Sequence, residues 1–314
     1  MLRFLWLPAA ACVAFAAGPV FELTGQFAPP GRAVVSLFGV SSPFTASTLS
    51  DDDGHFSFKK LEAAPYTLSI FLPSRGEARQ TIEVGPGTAD AHNRVVLKLD
   101  LKDDDFVVAD VLRRRHSVPA KQLSVTDKAI REYDQAQKDL SQHAVDAAVK
   151  HLERAVALAP QFAMAWNNLG TIAYQTRKFE RAEECFRHAL EDQSDAFEPL
   201  VNLGGVLLTL NKFDEAMGYN LRAMLMRPND ALANSQLGMN YFALGYLDLA
   251  QKYVEKACQI DPSHFSHPQL ILAEIHLRRG ERRQAADVLE DFLKHHPDWP
   301  KAALMRERIA ELRK

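Results

Sequence analysis

From Ser124 onward the chain repeats itself, and the repeat limits what it can fold into. Alanines stand at Ala148, Ala182, Ala216 and Ala250, each 34 residues after the last, and Ala285 follows after 35. Prolines keep the same lattice at Pro160, Pro228 and Pro262, and Pro297 carries the same one-residue displacement as Ala285, so one insertion lies between Pro262 and Ala285. Apolar residues recur within each unit at helical spacing. Each unit is therefore read as a helix pair too small to bury its own apolar face, and stacking of successive pairs makes the core continuous. The units are 127–160, 161–194, 195–228, 229–262 and 263–297, within a repeat region 125–297. Residues 298–314, rich in Arg and Lys, close the array as a capping helix, so eleven helices are expected.

The second unit reads Trp166-Asn167-Asn168-Leu169-Gly170, then Ala182, Phe186 and Ala189. The third and fourth repeat it as Asn202-Leu203-Gly204 with Ala216, Ala223 and Pro228, and as Gln236-Leu237-Gly238-Met239-Asn240-Tyr241 with Ala250, Ala257 and Pro262. In this pattern the region resembles the tetratricopeptide repeat (TPR) family. Departures are Glu132 and Ala136 at the Trp and Gly positions of the first unit, Gln269 and Ala273 at those of the fifth, and Ser194 in place of a closing proline. Gly170, Gly204 and Gly238 are expected to face the alanines of the second helix, where the two backbones approach closely. The resemblance implies a right-handed superhelix whose first helices line a concave groove for extended or helical peptides. Its groove positions map onto Tyr133, Gln137, Met164, Asn167, Asn168, Thr171, Tyr174, Val201, Asn202, Leu208, Ser235, Met239, Phe242, Leu270 and Glu274. Amides among aromatics suit a groove that bonds a peptide backbone while packing its side chains. The Lys, Asn and Arg set by which some members hold a C-terminal carboxylate is not matched: Tyr133 stands at the first Lys position, and only Asn168 and Asn202 agree.

Ahead of the repeat the period is 2. Expected strands are 20–27, 33–39, 44–49, 55–58, 66–72, 80–84 and 95–101, separated by Pro29-Pro30-Gly31, Asp53-Gly54, Pro73-Ser74-Arg75-Gly76 and Gly85-Pro86-Gly87. Short strands at this spacing argue for an antiparallel sandwich over residues 18–101. The stretch from Thr48 to Leu68, with Ser50-Asp51-Asp52-Asp53-Gly54-His55-Phe56-Ser57-Phe58, Leu61 and Pro65-Tyr66-Thr67-Leu68, is similar to the carboxypeptidase regulatory-like domain. That family is a transthyretin-like or immunoglobulin-type sandwich with a carbohydrate-binding-like fold, and it implies an adhesion or docking role without catalysis. Pro65 stands where the family places Gly, and Leu23-Thr24-Gly25 only partly matches its opening motif. Residues 102–124, with Asp103-Asp104-Asp105 and Arg113-Arg114-Arg115-His116, read as a solvated linker with room for one added strand.

The expected fold class is thus multidomain: an all-β sandwich, then an all-α TPR solenoid. At the start, Arg3, the apolar run Leu5 to Ala16 and Ala14-Phe15-Ala16 form a secretory signal peptide over residues 1–17. The run is too short to span a bilayer, and Cys12 is read as part of the signal rather than a lipid-attachment site. Only Cys185 and Cys258 remain, too few for a disulfide framework. The 37 Lys and Arg residues against 40 Asp and Glu leave a net charge of −3, without the basic excess that nucleic acid requires. Of 11 histidines, His264, His267, His276, His295 and His296 gather around the fifth unit, but at a turn and at helix ends rather than as a zinc set. The triplet Asp51-Asp52-Asp53 lacks the spaced oxygens of a calcium loop and is read as a hairpin turn. No nucleophile elbow, phosphate loop or metalloprotease helix is present. The expectation is an exported periplasmic or cell-surface scaffold, not an enzyme and without cofactor, that binds a protein or peptide. The alternative is a glycan-binding accessory protein acting through the sandwich, weakened by the absence of Trp from that part of the mature chain.

Overall fold

The computed structural model describes residues 19–73, 75–108, 124–191 and 194–314. The signal segment, Cys12 and the Arg113-Arg114-Arg115-His116 run lie outside the described residues.

Alternating apolar residues build the first half. In β1 (Phe21–Ala28) Phe21, Leu23 and Phe27 face inward while their neighbours are partly or fully exposed. The strands β2 (Val34–Gly39), β3 (Thr45–Leu49), β4 (His55–Leu61), β5 (Ala64–Leu72), β6 (Gly76–Val84), β7 (Arg94–Asp100) and β8 (Phe106–Val108) follow. They form a three-stranded sheet in the order β4-β1-β7 and a five-stranded sheet in the order β3-β2-β5-β6-β8. Leu23, Val35, Leu37, Leu61, Tyr66 and Leu68 are sealed between the sheets. The sandwich is not wholly antiparallel: β1 and β7 run parallel, with Thr24 opposite Val96, because the chain crosses from one sheet to the other between β6 and β7. A strand also lies within the stretch expected to be linker, since β8 pairs Phe106 with Ala78 and Val108 with Gly76 at the start of β6. The acidic triplet is turn chemistry: the Asp51 carboxylate accepts the N–H groups of Asp53 and His55 at 3.0 and 2.8 Å. Backbone donation from His55 is the main reason its pKa is lowered.

The helices are α1 (Asp127–Ser141), α2 (Val145–Leu158), α3 (Ala163–Gln175), α4 (Phe179–Glu191), α5 (Phe197–Thr209), α6 (Phe213–Met226), α7 (Ala231–Ala243), α8 (Leu247–Ile260), α9 (Pro268–Arg278), α10 (Arg282–His295) and α11 (Ala302–Leu312). They make five antiparallel pairs and a closing helix, and Ile309 and Leu312 of α11 cover the last apolar face beside Ala285 and Ala286. No helix among the described residues is long and apolar enough to cross a membrane.

Inside the three pairs that carry the glycine, the facing differs from the expected glycine–alanine one except at Gly238, whose Cβ would also lie 3.2 Å from the Ala250 carbonyl oxygen. The alanines at 148, 182, 216, 250 and 285 are fully buried, but the glycines meet the residue one turn further along. A Cβ on Gly170 would lie 2.6 Å from the Phe186 ring, on Gly204 1.9 Å from the Asn220 side chain, and on Gly238 2.7 Å from Val254. Phe186, Asn220 and Val254 are themselves 34 residues apart.

A second lattice lies in the turns. His143, Arg177, Asn211, Gly245 and Gly280 all have φ between 58° and 86° and keep the 34, 34, 34, 35 spacing. The left-handed residue lets the next N–H reach back five residues, as from Lys178 to the Ala173 carbonyl and from Lys212 to that of Leu207. The Trp position also has a role beyond packing. Trp166 donates to the Pro160 carbonyl at 2.8 Å, Asn234 to that of Pro228 at 2.9 Å, and Gln269 to that of Pro262. An indole and two amides thus fill one requirement, a donor that ties α3, α7 and α9 to the turn before each.

These contacts set opposite outcomes for two substitutions. Gly204→Leu must displace Asn220 and should lower stability by about 1 to 3 kcal/mol. Arg177→Gly removes a side chain from the left-handed region and should raise stability by up to about 1 kcal/mol. Thermal denaturation of the purified chain reads both.

Candidate functional site

The groove positions lie on α1, α3, α5, α7 and α9, and the structure joins them into a ladder between repeats. Asn168 donates to the Tyr133 hydroxyl at 3.3 Å, and Asn202 donates to the Asn167 side-chain oxygen at 3.0 Å, a step of 35 residues each time. The Tyr174 and Thr209 hydroxyls meet at 3.2 Å by the same step. Thr171 turns back to the Asn167 carbonyl, and Tyr133 packs on Phe162. Two positions lie in the interior rather than on a surface. Ser235 is fully buried with its hydroxyl 2.6 Å from that of Ser266, and Val201 packs beneath Ala233. Gln137, Leu208, Met239, Phe242, Leu270 and Glu274 are half-buried, with the Arg278 guanidinium 4.0 Å from the Phe242 ring centre and its Nε 3.3 Å from Glu274. Met164 and Tyr174 remain open, at 58% and 39% exposure.

Sequence reasoning missed a second feature, a seam along which the sandwich is seated on the array. At one end Phe44 stacks on His143 at 4.9 Å, and Gln175, the last residue of α3, donates to the Gly39 and Val40 carbonyls at 2.9 and 3.1 Å. At the other end β6 meets the junctions between pairs. Among the described residues β8 pairs only with Gly76 to Ala78, and no other described strand lies along the rest of that edge of β6. The Thr81 N–H donates instead to the buried Asp261 carboxylate at 2.9 Å, which closes an edge that would otherwise invite pairing with another chain. Arg79 pairs with Glu198 at 3.0 Å, Arg227 lies 3.2 Å from Glu198 and 3.8 Å from Glu77, and the Gly87 N–H donates to Asp298 at 2.9 Å. A Cβ on Gly87 would fall 2.6 Å from Asp298, so the glycines of the Gly85-Pro86-Gly87 turn allow this approach as well as the bend.

The electrostatics follow from placement. Burial works against ionisation of Glu77, but Arg79 at 2.7 Å, a bond from Ser69 and Arg227 outweigh it and hold the carboxyl below its usual range. Burial pushes Asp230 and Asp261 up, against the N–H groups of Ala233 and Thr81 that they accept. Burial likewise pushes the Cys185 and Cys258 thiols up to about 11 and about 12, which leaves both as inert packing groups.

His267 and His296 join Phe292 and Trp299 in an aromatic cluster, while His276 pairs with Glu281 at 2.6 Å and His295 with Asp291 at 3.7 Å. His267 stands edge-on to His296, Phe292 and Trp299 at 4.7 to 5.4 Å, and His264 accepts the Ser266 N–H at 3.2 Å. His296 Nδ1 reaches Glu83 of β6 at 3.1 Å. Among the described residues no group of three His, Cys, Asp or Glu is placed to hold a metal. Burial, with neighbouring histidines adding to it, lowers His264 and His267 to about 3, so both are neutral in the folded chain. Unfolded, they take up protons below about pH 6.5. Their contribution is therefore complete above that pH and lost as the pH falls toward 3, at about 1 kcal/mol per histidine by pH 5.5. Melting temperature should fall between pH 7 and 5, and His264→Gln with His267→Gln should flatten that slope.

Fold and spacing define the class: a TPR-like helical-repeat array behind a β-sandwich. The model of the cilia and flagella-associated protein 70 middle TPR-like domain matches residues 135–261. The human cell division cycle protein 16 homolog is 29% identical over 119 residues, 35% of this chain and 19% of that protein. Anaphase-promoting complex subunit 7 of Arabidopsis thaliana is 27% identical over 154 residues, 48% of this chain and 27% of that protein. The chain thus spans about a fifth to a quarter of the length of these relatives. Among solved structures, PilW, a type IV pilus biogenesis factor, superposes with a TM-score of 0.53 at 21% identity over 60% of this chain and 86% of its own. MamA of Desulfovibrio magneticus RS-1, from residue 41 to its end, gives 0.50 at 19% identity over 56% and 99%. Both likenesses concern the fold of the helical part.

Proposed function

We propose that the chain is an exported, non-catalytic scaffold that holds a protein or peptide partner in the concave face of its array. One observation supports this reading: Met164 and Tyr174, at expected groove positions of α3, are exposed beside the half-buried amides of Asn167, Asn168 and Asn202. Uncovered apolar surface rimmed by amides is what a peptide groove offers. Arrays of this kind also occur in a subunit of a named multiprotein complex and in a pilus biogenesis factor, which supports a role in bringing proteins together. The amide ladder gives the groove a fixed shape, so a ligand gains from a surface that is already organised. In this reading the sandwich is a carboxypeptidase regulatory-like domain serving as a docking module, and the apolar start of the chain directs export.

Affinity capture from the source cells with the wild-type chain, followed by titration of the recovered partner, tests the groove. Met164→Glu with Tyr174→Ala should weaken binding about ten- to a hundredfold at an unchanged helical spectrum, the loss expected from one or two buried apolar side chains. Equal affinity would move the interface off this face. For export, the intact mass of the chain from the cell envelope should correspond to cleavage close to Ala16, whereas a chain still beginning at Met1 contradicts it.

A further inference from the structure

The seam is made of groups that any extended strand could satisfy. On the array, acidic residues stand at successive junctions between pairs: Glu198 at the start of α5, Asp230 capping α7, Asp261 ending α8, and Asp298 before α11. Three of them hold an arginine and two backbone N–H groups of β6 and the turn after it, and none of them holds an apolar side chain. The fourth, Asp230, lies close enough to Arg79 to feel its charge. Recognition here is of an extended backbone carrying an arginine two residues before an outward N–H.

The same seam has the marks of an exchangeable contact. Among the described residues the apolar core of the sandwich and those of the array are separate, and no cluster of buried apolar residues contains members of both. Among the described residues, five of the ten buried polar atoms without a hydrogen-bond partner lie along it: Gln175 Oε1, Arg227 Nη1 and His296 Nε2 at the contacts themselves, with His267 Nδ1 and Trp299 Nε1 packed behind. Arg227 and His296, at 10% and 3% side-chain exposure, are aimed at the seam and satisfied only in part by Glu77, Glu198 and Glu83. A permanent joint normally pairs such groups.

We propose that the acidic rim of the array is a receiving surface for an extended, arginine-bearing strand of a partner protein, and that the sandwich, seated there through β6, is its exchangeable resident. The rim is distinct from the groove and shares with it only the premise that the array binds protein. Opening the sandwich frees the rim, and the partner strand then meets Glu198, Asp261 and Asp298 as Arg79, Thr81 and Gly87 do now.

The test uses the full chain and a synthetic peptide copying residues 76–88 as the probe. The wild-type chain should bind it weakly, because the resident competes. Thr81→Pro removes the N–H that Asp261 accepts without touching the pairing of β5 with β6, and should tighten peptide binding at least about tenfold by raising the open fraction. Adding Asp261→Ala to that chain should abolish the gain, Asp261→Asn should keep part of it, and a peptide carrying Arg79→Glu should not bind. Hydrogen exchange at β6 reports whether the seam has opened, and Arg79→Glu in the chain serves as a second opening variant. Seam amides that stay as protected as in the wild type in both variants would show a permanent joint and overturn the proposal. So would an opened chain that binds the peptide no better, or one whose binding ignores Asp261→Ala. The groove variant Met164→Glu with Tyr174→Ala should bind the peptide as the wild type does. Loss there, with the rim variants unaffected, would assign the peptide to the groove and overturn the rim, whereas loss of the captured partner alone would leave the rim standing.

Discussion

Two helix backbones can approach as closely as α3 and α4, or α5 and α6, only where one of them lacks a side chain at the crossing. Everything else in the array depends on that approach. Gly170, Gly204 and Gly238 leave room for Phe186, Asn220 and Val254, and the fully buried alanines one turn earlier keep the crossing narrow. The left-handed residue that ends each first helix turns the chain back at the same distance every time. The turn recurs five times and the glycine crossing three times, with Ala136 and Ala273 at that position in the outer pairs, and together they fix how far each first helix is displaced from the next. That spacing brings residues 35 apart within hydrogen-bond reach and turns separate amides into a ladder.

The sandwich is bound to this frame by a different chemistry. Its own core is apolar and closed, with Tyr66 deep inside and its hydroxyl bonded to the Glu62 carbonyl at 3.1 Å, and burial pushes that phenol up to about 12. Between sandwich and array the contacts include carboxylates, guanidinium groups, backbone N–H groups, the Gln175 amide on two carbonyls, an imidazole on Glu83 and an aromatic stack on a second imidazole. Such contacts contribute little net free energy each, since they exchange one set of hydrogen bonds for another, yet they are costly to leave half-made. A joint of this composition fixes orientation firmly while remaining easier to part than either domain is to unfold.

How much could be read in advance depended on whether a residue's role is local or distant. The repeat, its insertion before Ala285 and the capping helix were legible because each unit obeys the same packing rule, and Gly and Pro mark where it applies. The turn lattice escaped notice because His143, Arg177 and Asn211 stand where Gly245 and Gly280 reveal the backbone requirement. The donor at the Trp position was hidden for a similar reason, since Trp166, Asn234 and Gln269 share an N–H and little else. At the expected groove positions the helix was legible and the depth was not: Ser235 and Val201 lie on first helices yet are covered by neighbouring packing. The seam left no local signal. Thr81 and Asp261 are 180 residues apart, and nothing in either neighbourhood names the other. The parallel pairing of β1 with β7 is of the same kind, a long-range choice made by the crossover between sheets.

The central claim is that the inward face of the array is where this chain meets its partner. A photo-crosslinking side chain placed at Tyr174 in the native cell tests it directly, with a second at Leu225, which is 65% exposed on a second helix, as the reference position. A discrete crosslinked product containing another polypeptide should form from position 174 and not from 225. Products arising at 225 and absent at 174 would place the interface on the outer surface and contradict the groove.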